Sequence, residues 1–179
     1  MQPQDILNFW FVEIESKKHW VKDPDFDSMV KERFESLHSS VSAGETWQWR
    51  ETGEGRLAEV IVLDQFSRNM YRDTPQSFAF DSLALMLAQE AVFQGFDQKI
   101  NKDWLSFLYM PYMHSESAKV HEEAVRLFSQ PGMEGVLDFE MKHKKIIDRF
   151  GRYPHRNKIL GRVSTPEEEE FLTQPGSSF

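Results

Sequence analysis

The chain has 179 residues, enough for one domain with a substantial buried core, and it carries a formal net charge of −8. It contains no cysteine, which excludes disulfides, thiolate metal sites and a thiol nucleophile. The acidic balance argues against a general attraction to nucleic acid or to anionic lipid.

The N-terminal segment MQPQDILNFWF lacks the basic region and the continuous apolar stretch of a secretory signal. The most apolar span, Phe78 to Phe96, contains Asp81, Gln89 and Glu90, which is typical of a buried helix rather than a membrane span. We therefore expect a single all-helical domain over residues 1–179, located in the cytoplasm and not in a membrane.

Apolar residues recur at helical spacing along the whole chain, and no run of alternating residues between tight turns indicates strands. Glycine and proline separate the predicted helices. The helices are expected at about Pro3–Glu15, Pro24–Ser42, Glu54–Tyr71, Gln76–Gln94, Asp103–Met110, Ser115–Ser129 and Gly135–Phe150. A capping box at Thr165 with proline at the next position predicts one more short helix. The short connections favour antiparallel helical hairpins stacked on one another, an all-α fold.

Polar residues follow an apolar run in the third predicted helix. Asp64 and Arg68 stand four residues apart in the favourable order for an ion pair, and Gln65 and Asn69 repeat the spacing. Two interpretations remain open. The group is either a structural network at one end of the core, or Asp64 orients Arg68 toward a ligand that Gln65 and Asn69 also bind.

Histidines lie on partly apolar helix faces. If the helices on either side of Gly132 pair antiparallel, His121 and His143 are equally distant from the turn and become neighbours. A hydrogen-bonded core histidine is the commoner role, and acid–base catalysis by His121, His143 or His155 is the less common one. Three inward histidines, with Glu116 or Glu122, would also suit a metal. None of the spacings is a known ligand pattern, so we predict no metal and no cofactor.

The stretch FGRYPHRNKILGR, residues 150–162, is basic within an acidic chain. Gly151 and Pro154 restrain it, so that Arg152, His155 and Arg156 project from a rigid loop. Guanidinium groups held in this way bind carboxylate or phosphate with paired hydrogen bonds. The alternative is that the arginines stabilise a helix end and neutralise the acids of residues 167–170. We favour the anion site.

Three motifs, DQFSRNMYR (64–72), PYMHSE (111–116) and FGRYPHRNKILGRVSTPEEEEFL (150–172), together with the N-terminal ILNFWF, resemble the bacterial family known as domain of unknown function 924. The resemblance covers essentially the whole chain. It implies an all-helical fold of the tetratricopeptide-like class, as a bundle or short solenoid, and it implies no activity and no catalytic residues. The tetratricopeptide sequence pattern itself is absent, so a peptide-binding role inferred from that fold rests on analogy alone.

Our first hypothesis is a pocket for a small anionic ligand, in which hydrolysis or transfer at a phosphate or carboxyl group would suit the arginines and histidines. The candidate ligand-binding residues are Asp64, Gln65, Arg68, Asn69, His114, Glu116, Arg152, His155, Arg156 and Asn157. The second hypothesis is an interaction module that binds a peptide or partner in a helical groove, with Trp20, Trp47, Trp49 and Tyr112 as the aromatic residues to inspect. The third is RNA binding with Tyr153 as a stacking surface, which the acidic remainder of the chain disfavours. The sequence does not set the oligomeric state.

Overall fold

The computed structural model describes residues 1–178, and this part of the chain is helical or irregular and contains no strand. The prediction of an all-α fold is confirmed. The α-helices, in chain order, are α1 (Pro3–Asn8), α2 (Pro24–Ser42), α3 (Gly53–Val60), α4 (Ser67–Met70), α5 (Asp81–Phe93), α6 (Leu105–Met113), α7 (Ala118–Phe128), α8 (Glu134–Phe150) and α9 (Pro166–Leu172).

Local capping signals set several of these boundaries. The side chain of Asp23 accepts hydrogen bonds from the backbone N–H groups of Asp25 and Phe26, and α2 begins at the next residue with a proline. Gly151 ends α8 in the left-handed region, at φ +67°. Thr165 and Glu168 form the expected capping box of α9. The predicted helix start at Pro24, the predicted helix end before Gly151 and the predicted capping box at Thr165 are confirmed.

Two predicted helices contain π-helical segments. The first continues from α1 through a π-helix at Phe9–Glu13, and the third consists of α3, a π-helix at Ile61–Phe66, and α4. The ring centroids of Phe9 and Phe66 lie 5.8 Å apart, and Phe34 lies 4.7 Å from Phe9 and 4.8 Å from Phe66. The π-helical turns therefore contribute large aromatic side chains to one buried cluster.

Helix α6 corrects one boundary. Proline removes a backbone donor, so Pro111 was expected to end the helix, but α6 continues through it to Met113. The proline lies close to the helix end, and the neighbouring side chains Leu108, Tyr109 and Tyr112 are buried. Burial of these side chains outweighs the loss of one terminal hydrogen bond.

The chain forms two compact units. The first unit comprises Met1–Arg72 and Gln76–Pro111, and the second comprises Asp73–Pro75 and the chain from Tyr112 onward. Ile146, Ile147 and Tyr153 form a buried cluster in the second unit, where α7 and α8 pack together. A single domain over residues 1–179 and a tetratricopeptide-like arrangement both stay predictions. Among the described residues, every helix is too short or too polar to span a bilayer.

Candidate functional site

The predicted ion pair in the first unit is present. Arg68 Nη1 lies 3.1 Å from Asp64 Oδ1, and Asp64 is completely buried. The Arg68 guanidinium also donates two hydrogen bonds to the carboxylate of Asp81, at 2.9 and 3.1 Å. A buried carboxylate thus shares one arginine with a second carboxylate.

The surrounding polar groups extend this network. Gln65 donates a hydrogen bond of 2.6 Å to Asp64, and Asn69 donates one of 2.8 Å to Asp27 of α2. Arg72 also binds the Asp27 carboxylate, with bonds of 2.6 and 2.8 Å. We call Asp27, Asp64, Gln65, Arg68, Asn69, Arg72 and Asp81 the Arg68 cluster. Its contacts agree with the interpretation of a structural network.

Arg149, which immediately precedes the basic stretch, and two arginines within the stretch bind carboxylates of the same unit. Arg149 donates to Glu167 at 2.8 Å, and Arg152 donates two bonds to Glu168 at 2.6 and 2.7 Å. The hydrogen bond from Arg152 is the largest of the effects that lower the pKa of Glu168 from 4.5 to about 2. These contacts agree with the alternative in which the arginines neutralise the acids of α9.

The third arginine pairing fixes the loop itself. Arg162 donates two hydrogen bonds to Glu116, at 2.6 and 2.9 Å, and Glu116 also accepts the backbone N–H of Tyr153 at 2.7 Å. Burial raises the pKa of Glu116, but the bonds from Arg162 and Tyr153 outweigh it and lower the pKa overall. Asn157 donates to Ser164 at 3.0 Å. Sequence reasoning missed Arg162, because its partner lies 46 positions away.

Tyr153 lies at the centre of a group of histidines in the second unit. Its ring is fully buried, and its centroid lies 5.6 to 6.4 Å from the imidazoles of His121, His143 and His155. The Tyr153 hydroxyl donates a bond of 2.5 Å to the Met113 carbonyl. We call His114, His121, His143, Tyr153, His155 and Arg156 the Tyr153 cluster.

Arg156 joins this group from the same loop. Its guanidinium carbon lies 4.6 Å from the Tyr153 ring centroid, and it donates a 3.0 Å hydrogen bond to the His114 carbonyl. The residue is 6% exposed. His114 and His155 are half-buried, so they are the imidazoles of the cluster that reach solvent.

His143 is buried and neutral at physiological pH. Burial is the main effect that lowers its pKa from 6.5 to about 3. A hydrogen bond from its Nδ1 to the Phe139 carbonyl, of 2.8 Å, opposes the shift, whereas the charges of His114, His121 and His155 reinforce it. The other three imidazoles of the cluster therefore act electrostatically on His143.

His121 forms a buried pair with Glu140, which sequence reasoning did not identify. Its Nδ1 lies 2.6 Å from Glu140 Oε1, and both side chains are completely buried. The predicted register placed His143 opposite His121, and the observed contact lies three residues earlier in α8. A shift of about one helical turn accounts for the difference, because residues three or four apart share a helix face.

Comparison with known proteins assigns the chain to a family. The family model described as "Bacterial protein of unknown function (DUF924)" matches residues 6–176. The chain belongs to this family. A solved structure of a protein of unknown function from Agrobacterium tumefaciens has a TM-score of 0.89 and 38% identity, and the match covers 95% of this chain and 96% of that one. No curated protein matches the chain.

The remaining predictions for this DUF924 member concern metal binding and the exposure of aromatic side chains. Within residues 1–178, no group of three or more histidine or acidic side chains is arranged to hold a metal ion. Tyr153 is fully buried and cannot stack on a base, which removes the surface on which the RNA-binding hypothesis relied. Trp20 and Trp47 are 66% and 59% exposed, whereas Tyr112 is buried.

Proposed function

We propose that this protein binds a small anionic ligand, bearing phosphate or carboxylate, at the Tyr153 cluster. The observation that carries the proposal is the convergence of three imidazoles, those of His121, His143 and His155, and of the Arg156 guanidinium on one buried ring. Titratable groups that perturb one another are concentrated at functional sites more often than elsewhere. The proposal is confined to the second unit.

An anion would be stabilised by these groups for an electrostatic reason. Protonated imidazoles repel one another and the nearby guanidinium, and a negative charge among them favours their protonated forms. His114 and His155, which are half-buried, supply the groups that a ligand reaches first. Arg152, Glu116 and Asn157 contribute by holding the loop through their contacts within the unit.

The same arrangement suits hydrolysis or transfer at a phosphate or carboxyl group. Arg156 would stabilise negative charge that develops on the reacting group, and His155 would move the proton because its side chain is half-buried rather than fully buried. His121 is less suited to that role, because its two ring nitrogens contact Glu140 and the Ser115 carbonyl.

A thermal-shift series with inorganic phosphate and acetate tests the proposal. A ligand at one hundred times its dissociation constant adds about 2.7 kcal/mol of stability, which corresponds to about 5 to 10 °C in a chain of this size. We expect this increase in the wild type and a much smaller one in Arg156→Gln. Lys158→Gln is the matched control, because it removes one positive charge from an exposed neighbour in the same loop. The absence of any anion effect on the wild type, or equal losses in both variants, would contradict the proposal.

A second candidate is the interaction module, which the exposure of Trp20 and Trp47 favours. Exposed tryptophans are common at protein–protein contacts. Acidic peptides should then change the tryptophan fluorescence of the wild type and have less effect on Trp20→Phe. An unchanged response in that variant would exclude Trp20 from the contact.

A further inference from the structure

We infer that Glu140 is a positioning residue of the Tyr153 cluster, which acts through His121 on the backbone of residues 114–116. The inference rests on the proposed anion site, because it concerns how the groups of that site are held in place. Glu140 and His121 are fully buried and would not contact the ligand themselves.

The first step is the contact between the two side chains. His121 Nε2 lies 2.8 Å from the Ser115 carbonyl oxygen, which can only accept, so Nε2 carries a proton. The contact of Nδ1 with Glu140 Oε1, at 2.6 Å, then holds one further proton, on either the nitrogen or the oxygen. The Glu140–His121 pair is therefore neutral overall in both arrangements, and Glu140 fixes which way the imidazole faces.

The second step leads from His121 to the proposed site. Residues 114 to 116 are each anchored by a different partner in the second unit: the His114 carbonyl accepts from Arg156, the Ser115 carbonyl from His121, and the Glu116 carboxylate from Arg162 and the Tyr153 backbone. Of these contacts, the hydrogen bond between His121 and the Ser115 carbonyl is the one that depends on Glu140. A reoriented His121 would release the Ser115 carbonyl and shift both neighbouring residues.

The energetics favour this role over a purely stabilising one. Glu140 Oε2 is buried and, within the described residues, has no hydrogen-bond partner. Burial also raises the pKa of Glu140, against the effect of the His121 hydrogen bond. A buried carboxyl group with one of its oxygens unsatisfied adds little net stability compared with an apolar side chain of similar size. A role in orienting His121 explains the buried Glu140 carboxyl group better than a role in stability does.

The first test is the nitrogen-15 NMR spectrum of the histidine side chains in the wild-type protein. We expect His121 to carry its proton on Nε2, with Nδ1 in a strong hydrogen bond, and we expect Glu140→Leu to change that signature. Glu140→Gln should keep the proton on Nε2, because the amide can donate to Nδ1. A wild-type His121 without a proton on Nε2 would overturn the inference, without any variant having to fold.

The second test is the affinity for inorganic phosphate, measured by isothermal titration calorimetry. Loss of the hydrogen-bond partner behind a metal-ligating side chain commonly costs about tenfold or more in affinity, and we expect an effect of the same order here: about a tenfold loss in Glu140→Leu and less than about threefold in Glu140→Gln. An equal affinity of Glu140→Leu and the wild type would overturn the inference and leave the anion site standing. No phosphate binding by the wild type would count against the anion site, and the NMR signature would then decide the positioning role alone.

Discussion

The Arg68 cluster and the Tyr153 cluster use polar groups in two different ways. In the first, arginines bind carboxylates directly, and Asp64 and Asp27 each contact more than one donor. In the second, three imidazoles and the Arg156 guanidinium surround the buried Tyr153 ring, and His121 and His143 each form a hydrogen bond with a backbone carbonyl. Arginine–carboxylate pairs keep their charges across the physiological pH range, whereas the charge of an imidazole depends on how its surroundings shift its pKa.

The type of charged group distinguishes a structural cluster from a candidate binding site more clearly than the degree of burial does. Both clusters are largely buried and polar, and both contain residues that sequence reasoning selected as candidate ligand contacts. Fixed ion pairs hold helices together, but they need to open before they can bind a ligand. A group of imidazoles can accommodate an anion by taking up protons, without the opening of any ion pair. The comparison therefore supports a structural role for the Arg68 cluster and is the reason that we propose the Tyr153 cluster, and not the Arg68 cluster, as the binding site.

The largest expected effect tests the assignment of the Arg68 cluster. Arg68→Met leaves the buried Asp64 carboxylate without its ion pair, and removal of one partner of a buried pair costs about 3 to 5 kcal/mol. Urea unfolding measures this loss. Arg126→Met is the control, because the Arg126–Glu123 pair is exposed. If Arg68→Met lowers the free energy of unfolding by less than about 1 kcal/mol and also weakens the thermal shift with phosphate, Arg68 is a ligand-binding residue and not a structural one.

The second prediction concerns pH and the Tyr153 cluster. The pKa of His143 is lowered from 6.5 to about 3 in the folded chain, so the unfolded chain binds a proton more readily. The stability that depends on an uncharged His143 is fully present above pH 6.5 and is lost as the pH falls toward 3. By about pH 4 we expect the wild type to lose about 2 to 3 kcal/mol that His143→Gln does not lose.

Urea unfolding of both proteins over this pH range provides the measurement. The comparison at neutral pH supplies the reference, because the histidine is uncharged there in both the folded and the unfolded chain. Parallel pH profiles for the wild type and His143→Gln would show that His143 does not titrate on unfolding. The proposed contrast between the Arg68 cluster, whose charges are constant, and the Tyr153 cluster, whose protonation changes with pH, would then not hold.

Sequence reasoning succeeded where the determining interactions are local. Asp23, Gly151 and Thr165 set helix ends within a few residues of themselves, and Asp64 and Arg68 meet because they share one helix face. These features depend on backbone conformation and short spacing. They could be predicted before the tertiary packing was known.

It failed where the partners come together through packing. The Glu140–His121 contact depends on the register of α7 against α8, and a shift of one turn exchanges one buried residue for another. The Arg162–Glu116 pair joins positions far apart in the chain, and Pro111 remains helical because its neighbours are buried. For the arginines near α9, the alternative interpretation named the right partners, because the acids of residues 167–170 include Glu167 and Glu168, but Glu116 was not identified as the partner of Arg162.

A third, smaller effect distinguishes ion pairs within the second unit. Glu168 is buried, and its pKa is lowered from 4.5 to about 2, first by the hydrogen bond from Arg152. A lowered pKa of an acid stabilises the fold above pH 4.5, and this stabilisation is lost as the pH falls toward 2. Because Arg152 is partly exposed, we expect Glu168→Gln to cost about 1 to 2 kcal/mol at neutral pH and almost nothing near pH 2. A difference from the wild type that does not change with pH would mean that the capping contacts, and not the charge, provide the stability.

The smallest expected effect comes from the matching pair on the surface. Arg149 and Glu167 lie 2.8 Å apart, at nearly the same distance as Arg152 and Glu168, but their side chains are 45% and 62% exposed. Solvent screens such a pair, so Arg149→Ala should change the free energy of unfolding by less than about 0.5 kcal/mol. Urea unfolding at low and at high salt is the measurement. A loss as large as that of Glu168→Gln would mean that distance, rather than burial, decides how much an arginine–glutamate pair stabilises the second unit.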